Sequence, residues 1–260
     1  MEPLLELKHV SYAYHSISGE TYALSDISFQ VQKGEFVAVV GPSGCGKSTL
    51  LSLVSGLLHP ESGSVLFEGK ENSGFPEKIG YMLQKDHLFE WRTIYENAGL
   101  GLEIQHRLNT EAKNKIDQML ADYGLKRFRD AKPSELSGGM RQRAALIRTL
   151  ALEPELLLLD EPFSALDFQT RLAVCDDVVS ILRKKQKTAV LVTHDLSEAV
   201  SMADRIVVLT RRPARIQCIL DITFAQSELS PFERRTAPEF RDYFNLLWKE
   251  VNAGGESDEG

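Results

Sequence analysis

The strongest constraint on this chain is a short apolar run that stops at a glycine. FVAVV, residues 36–40, is aromatic and β-branched throughout, the composition of a strand buried on both faces. Glycines at 41, 44 and 46 interrupt it, and residues 47–58 then place leucines on one face of a helix. Strand, glycine-rich turn and helix in that order make a βα unit able to hold phosphate. Further along, 155–159 ends in four leucines before Asp160, and TAVLVTH (188–194) and RIVVLT (205–210) read as two more strands around a helix near 196–202. Strands alternating with helices predict an α/β fold with a mostly parallel sheet. The first thirty residues differ, since LLELKHVSYAY and YALSDISFQV alternate as short strands. Residues 100–132 read as a helical insertion, with Leu102, Ile104, Ile116, Met119, Leu120 and Tyr123 at helical spacing. A second helix is expected over 140–152.

The loop itself, Gly41-Pro42-Ser43-Gly44-Cys45-Gly46-Lys47-Ser48, fits G-x-x-x-x-G-K-[ST] at every fixed position. Its backbone N–H groups can surround a β-phosphate at the positive end of the following helix. Lys47 supplies a mobile cation for β- and γ-phosphate oxygens, Ser48 a hydroxyl for Mg²⁺, and Thr49 a further phosphate contact. The strand ending Asp160-Glu161 complements it: Asp160 is suited to the metal through water, Glu161 to polarising an attacking water. Ser137-Gly138-Gly139 opens a helix with a capping serine and exposed amides, a second anion site that one nucleotide in a single compact domain cannot share with the first.

Composition narrows the class without naming the chemistry. The 260 residues, 43% hydrophobic and 26% charged, exclude disorder as the overall state. A net charge of −7 argues against general nucleic-acid binding. Cys45, Cys175 and Cys218 are too few and too scattered for a disulfide framework or a zinc site, which suggests a reducing compartment. The opening MEPLLELKHV lacks a secretory signal pattern, and no apolar run approaches the ~18 residues of a membrane span.

Taken in order, these motifs resemble the nucleotide-binding subunit of an ATP-binding cassette (ABC) transporter, over residues 4–212. Residues 41–48 resemble the Walker A loop, 156–161 the Walker B strand and 136–143 the signature. The resemblance implies a P-loop NTPase fold with an antiparallel β part and a helical insertion. It further implies a Q-loop glutamine at Gln84, also a metal ligand, a D-loop over 164–167 ending in Asp167, and a switch histidine at His194. Tyr14 falls where the family places an adenine-stacking aromatic. Tyr12 is the alternative, and register favours Tyr14. ATP and Mg²⁺ are the implied ligands, bound between two copies of the cassette so that Ser137, Gly138 and Gly139 act in trans. Catalysis would fall to Glu161, His194, Gln84 and Lys47. Such a chain would sit on the cytoplasmic face of the cell membrane, docked through 84–91 to an integral permease and served by a solute-binding protein.

Trp91 after the Q-loop, the Met140-Arg141-Gln142-Arg143 run, and Arg234 and Arg235 before the final helix are similar to the nitrate/sulfonate/taurine importer group. Glu90 departs from that group's proline. A DNA-repair or chromosome ATPase would need long coiled coils in place of 100–132, and a translation-associated protein would carry two cassettes. An exporter ATPase shares every catalytic residue and differs only in the Q-loop surroundings and the tail. The expected layout is an ATPase domain over 1–220, its helical part near 95–150, and a tail over 221–260. In that tail Pro238, Phe240, Tyr243, Phe244, Leu247, Trp248 and Val251 form an amphipathic helix that packs on its own domain, followed by a frayed acidic GGESDEG.

Overall fold

The computed structural model describes residues 2–17, 19–71, 77–226 and 229–253; the expected frayed end at 254–260 lies outside them. The chain forms two compact units, one of residues 1–76 with 179–260 and one of residues 77–178.

In the first unit, β1 (Leu5–Ser16) pairs antiparallel with β2 (Gly19–Val31) and with β4 (Ser62–Phe67), which carries the short β5 (Lys70–Glu71). A second sheet is built on β3 (Phe36–Val40), flanked in parallel by β8 (Thr188–Val192) and β9 (Arg205–Leu209). β10 (Ile216–Asp221) closes its edge antiparallel to β9. All residues of β3 and β8 are buried, as expected for uninterrupted apolar strands covered on both faces. The two sheets are stitched where Ala214 N donates to Ala23 O and Ser25 N to Ala214 O.

Helix α1 (Lys47–Val54) leaves β3 through the glycine loop and stops four residues before the sequence suggests. Gly56, at φ 76°, supplies the left-handed turn, and Leu58 N closes it by donating to Ser52 O. The other helices of this unit are α6 (Leu196–Met202), α7 (Pro231–Arg234) and α8 (Pro238–Ala253). The tail is anchored by Arg234, whose guanidinium donates to Ser201 O and Ala203 O and lies over the Phe224 ring. Burial, together with Arg183 nearby, pushes the Arg234 side chain down to about 10. Helix α8 packs on α6 and β9 with Leu247 fully buried, but Trp248 is 58% exposed, so the apolar stripe is only partly covered.

In the second unit, β6 (Ile79–Met82) runs parallel to β7 (Leu156–Asp160). The helical insertion expected from the sequence is built of two helices. Helix α2 (Ile94–Ile104) begins at a reciprocal cap in which Glu96 N donates to Thr93 Oγ1 and Thr93 N to Glu96 Oε2. Helix α3 (Thr110–Asp122) restarts at Asn109 after a turn with His106 at φ 55°. Two single 3₁₀ turns follow, at Lys126–Phe128 and Pro133–Glu135, and then α4 (Gly138–Leu150). The boundary between units falls within α5 (Phe168–Lys184).

Candidate functional site

The first unit carries the phosphate loop. Gly46 sits at φ 125°, and a Cβ there would lie 2.9 Å from Leu24 Cδ2, so both backbone conformation and space demand glycine. Among the described residues no side chain caps α1, and its first turn holds no acid. The helix therefore presents unneutralised amides and the positive end of its dipole at the loop. Lys47 is buried and folds back across the loop, its Nζ donating to Gly41 O and Pro42 O at 2.9 Å each. Ser43, Gly44 and Ser48 face solvent, while Cys45 is buried and its thiol is pushed up by that burial. Burial thus keeps Cys45 protonated and packed, which leaves the loop its backbone amides.

Tyr14 reaches this loop from β1. Its hydroxyl is 3.0 Å from Thr49 Oγ1, and its ring stands edge-on to Tyr12 with centroids 5.0 Å apart. Half-exposed Tyr14 therefore presents ring surface beside α1. His194 is exposed just past the end of β8. Because β8 pairs with β3 in parallel, Val192 facing Val39, His194 lies level with the start of the glycine loop.

The second unit carries the acids. Asp160, 8% exposed, ends β7, and Tyr81 of neighbouring β6 points its hydroxyl at Asp160 Oδ2, 3.4 Å away. Glu161 turns the chain sharply at φ 44°. Gln84 Nε2 lies 3.3 Å from Glu161 Oε2 and 3.4 Å from Ser164 Oγ, and that hydroxyl donates to Glu161 O. Gln84, Glu161 and Ser164 thus form one cluster. Asp167 accepts from Thr170 N at the start of α5, and the Thr170 hydroxyl, together with that amide, holds its carboxyl below the usual range.

Ser137 caps α4 by accepting from Met140 N, and Ser137 and Gly138 are exposed. A Cβ on Gly139 would come within 2.4 Å of Thr170 Cγ2, so the signature turn is packed for glycine. Beside it, Arg141 of α4 donates to both Asp86 oxygens, at 2.8 and 3.1 Å, and to Glu90 at 2.8 Å. Arg148 holds the carbonyls of Asp86 and His87 at 2.7 Å each. Tyr81 and the Arg141–Asp86 link escape a reading of the sequence alone, because their partners are 79 and 55 residues distant. Glu90, the departure from the importer pattern, is thereby tied to the signature helix.

A family model described as ABC transporter matches residues 24–164. The chain is 49% identical over 249 residues, 96% of each chain, to an uncharacterised ABC transporter ATP-binding protein, YtlC, of Bacillus subtilis (strain 168). It is 41% identical over 239 residues, 92% of this chain and 90% of the other, to an aliphatic sulfonates import ATP-binding protein, SsuB, of Bacillus licheniformis. Among solved structures, a dimeric post-hydrolysis state of the ATP-binding cassette MJ0796 bound to ADP and Pi superimposes with a TM-score of 0.74 at 30% identity, covering 85% of this chain and 99% of that one. The glycine loop ahead of an uncapped helix, the acid-terminated strand and these relatives together establish the chain as an ATP-hydrolysing member of the ABC transporter ATP-binding family.

Proposed function

We propose that this chain energises the uptake of a small anion, a sulfonate, taurine, nitrate or similar solute, through a partner membrane permease. The observation that carries the ATPase chemistry is the uncapped, acid-free start of α1 behind the glycine loop, with Lys47 folded across it. The amides of residues 41–46 bind the β-phosphate, and Tyr14 stacks on the adenine. Lys47 exchanges the carbonyls of Gly41 and Pro42 for phosphate oxygens, and Thr49 adds a further contact. The Ser48 hydroxyl, the Gln84 amide oxygen and the Asp160 carboxylate are hard oxygen donors, a set that fits Mg²⁺. When bound, that ion neutralises charge on the phosphate oxygens.

Glu161 polarises the water that attacks the γ-phosphorus, with Gln84 and His194 orienting it; the bond to the β-phosphate oxygen breaks, releasing ADP and phosphate. Ser137, Gly138 and Gly139 complete the site of a second copy, and Asp167 lines the same interface. Residues 1–220 form the ATPase domain and 221–260 its tail. Among the described residues no helix is long and apolar enough to cross a membrane. In this reading attachment to the cytoplasmic face runs through the permease, docked on the segment from Gln84 to Trp91, where Phe89 and Trp91 stack at 4.7 Å. The solute class rests on Trp91 and on likeness to the sulfonate relative.

The test is affinity purification of tagged Glu161→Gln from detergent-solubilised membranes with ATP present. A co-purifying multi-spanning membrane protein is expected, and its solute-binding partner then identifies the anion. Ribosomes or DNA-bound proteins without a membrane protein would overturn the transport role and leave the ATPase.

A further inference from the structure

Behind His194 lies a buried run of hydrogen bonds to which the reading above gives no task. Thr193 and Glu198 are each 2% exposed, although His194 between β8 and α6 faces solvent. The Thr193 hydroxyl donates to Glu198 Oε2 at 2.7 Å and accepts from Asp195 N at 3.0 Å. Thr193 N donates to Val39 O, tying the same residue to β3 two residues before Gly41. Asp195 Oδ1 then accepts from Ser197 N and Glu198 N. Both neighbours of His194 are therefore fixed by side chains.

The arrangement departs from a simple helix cap. A glutamate at the third helical position ordinarily returns to the amide of the capping residue. Here Thr193 is interposed, taking that amide on its oxygen and passing its own proton to Glu198. Asp195 already caps α6, so the start of the helix does not require a buried carboxylate, which is costly to desolvate. What the extra link adds is a fixed direction for the peptide that carries His194.

We propose that Thr193 and Glu198 are positioning residues for ATP hydrolysis, acting as a buried bracket that aims His194 at the phosphate end of the site. The proposal rests on the orienting role given to His194 above. Neither residue touches the nucleotide.

The test compares the full-length chain with His194→Ala, Thr193→Val, Thr193→Ser, Glu198→Ala, Glu198→Gln and the His194→Ala/Glu198→Ala double variant. Steady-state hydrolysis gives kcat and KM, and a fluorescent ATP analogue gives binding. Misplacing a catalytic group by about 1 Å costs up to ~10²-fold, so Thr193→Val and Glu198→Ala are expected to lower kcat ~10–100-fold. Analogue affinity should stay within about two-fold, because only the chemical step is touched. Thr193→Ser and Glu198→Gln keep a hydroxyl and an acceptor and should restore most of kcat. In the His194→Ala background, Glu198→Ala should cost nothing further.

Full kcat in Thr193→Val, with kcat lowered in His194→Ala, would overturn the bracket and spare the role of His194. Full kcat in His194→Ala would overturn that role and the bracket together. An undiminished loss from Glu198→Ala in the double variant would show a general structural effect and overturn the bracket. Should Glu198→Ala fail to fold, the Thr193→Val and Thr193→Ser pair decides by the same criteria.

Discussion

Gln84 Nε2 lies 3.3 Å from Glu161 Oε2, joining a residue two past the end of β6 to the one that follows β7. The contact holds the proposed general base within one hydrogen bond of the segment proposed to meet the permease. Glu161→Gln keeps the size of the side chain and removes its basicity. Turnover should fall by ~10²–10⁴, with ATP binding retained, because only water activation is lost. Single-turnover hydrolysis and nucleotide binding, measured on the same preparation, check this; near-normal turnover would remove Glu161 from the base role.

The signature turn offers a steric test. Gly139→Ala drives a methyl to 2.4 Å from Thr170 Cγ2 and should destabilise the chain by about 1–3 kcal/mol. Thr170→Ser deletes the obstructing methyl, so the double variant should recover part of the loss in urea unfolding. An equally unstable double variant would mean that the clash is not the cause.

The link from Arg141 to Asp86 predicts a dependence on pH. Burial would raise the Asp86 carboxyl, but the Arg141 guanidinium and the Leu88 amide outweigh it and hold the group below the usual carboxylate range. A lowered folded-state value means stability that is fully present above the unfolded value near 4 and is lost as pH falls through the folded one. Arg141→Leu should therefore cost about 2 kcal/mol at pH 7, and the gap from the parent should narrow below about pH 4. Chemical denaturation across pH 3–7 measures it, and a gap independent of pH would assign the loss to packing.

The final helix separates a core residue from a surface one. Leu247 is fully buried and Trp248 58% exposed. Leu247→Ala should cost about 2–5 kcal/mol, and Trp248→Ala less than about 1. Equal losses in thermal unfolding would show that Trp248 is covered by something other than α8 and its neighbours.

Local pattern made much of this architecture legible before any coordinates. The bounds of β3 and α6 match the strand read at 36–40 and the helix read at 196–202, because each is bounded by a strong signal: Gly41 after β3, Asp195 before α6. An error arose where a turn residue outweighed a continuing pattern. Gly56 ended α1 early, four residues short of the expected end at 58. Periodicity registers faces, not breaks, so the leucines at 57 and 58 extended the expected helix. The phosphate-loop residues were legible as a contiguous motif. Tyr81 against Asp160, and Arg141 against Asp86, were not, because sheet register and helix packing bring them together and neither leaves a spacing in the sequence.

Glu161 carries its carboxylate on a backbone at φ 44°, a region that costs a side-chain-bearing residue about 1–2 kcal/mol. Glycine would occupy the same turn without that penalty, losing a comparable amount in chain freedom. Glu161→Gly is thus expected to fold about as well as the parent while its turnover falls by at least the ~10²–10⁴ expected of Glu161→Gln, which equilibrium unfolding beside an activity assay can check. At this position sturdiness and work pull apart, and a screen that rewarded only durable protein would readily accept a cassette that no longer turns over.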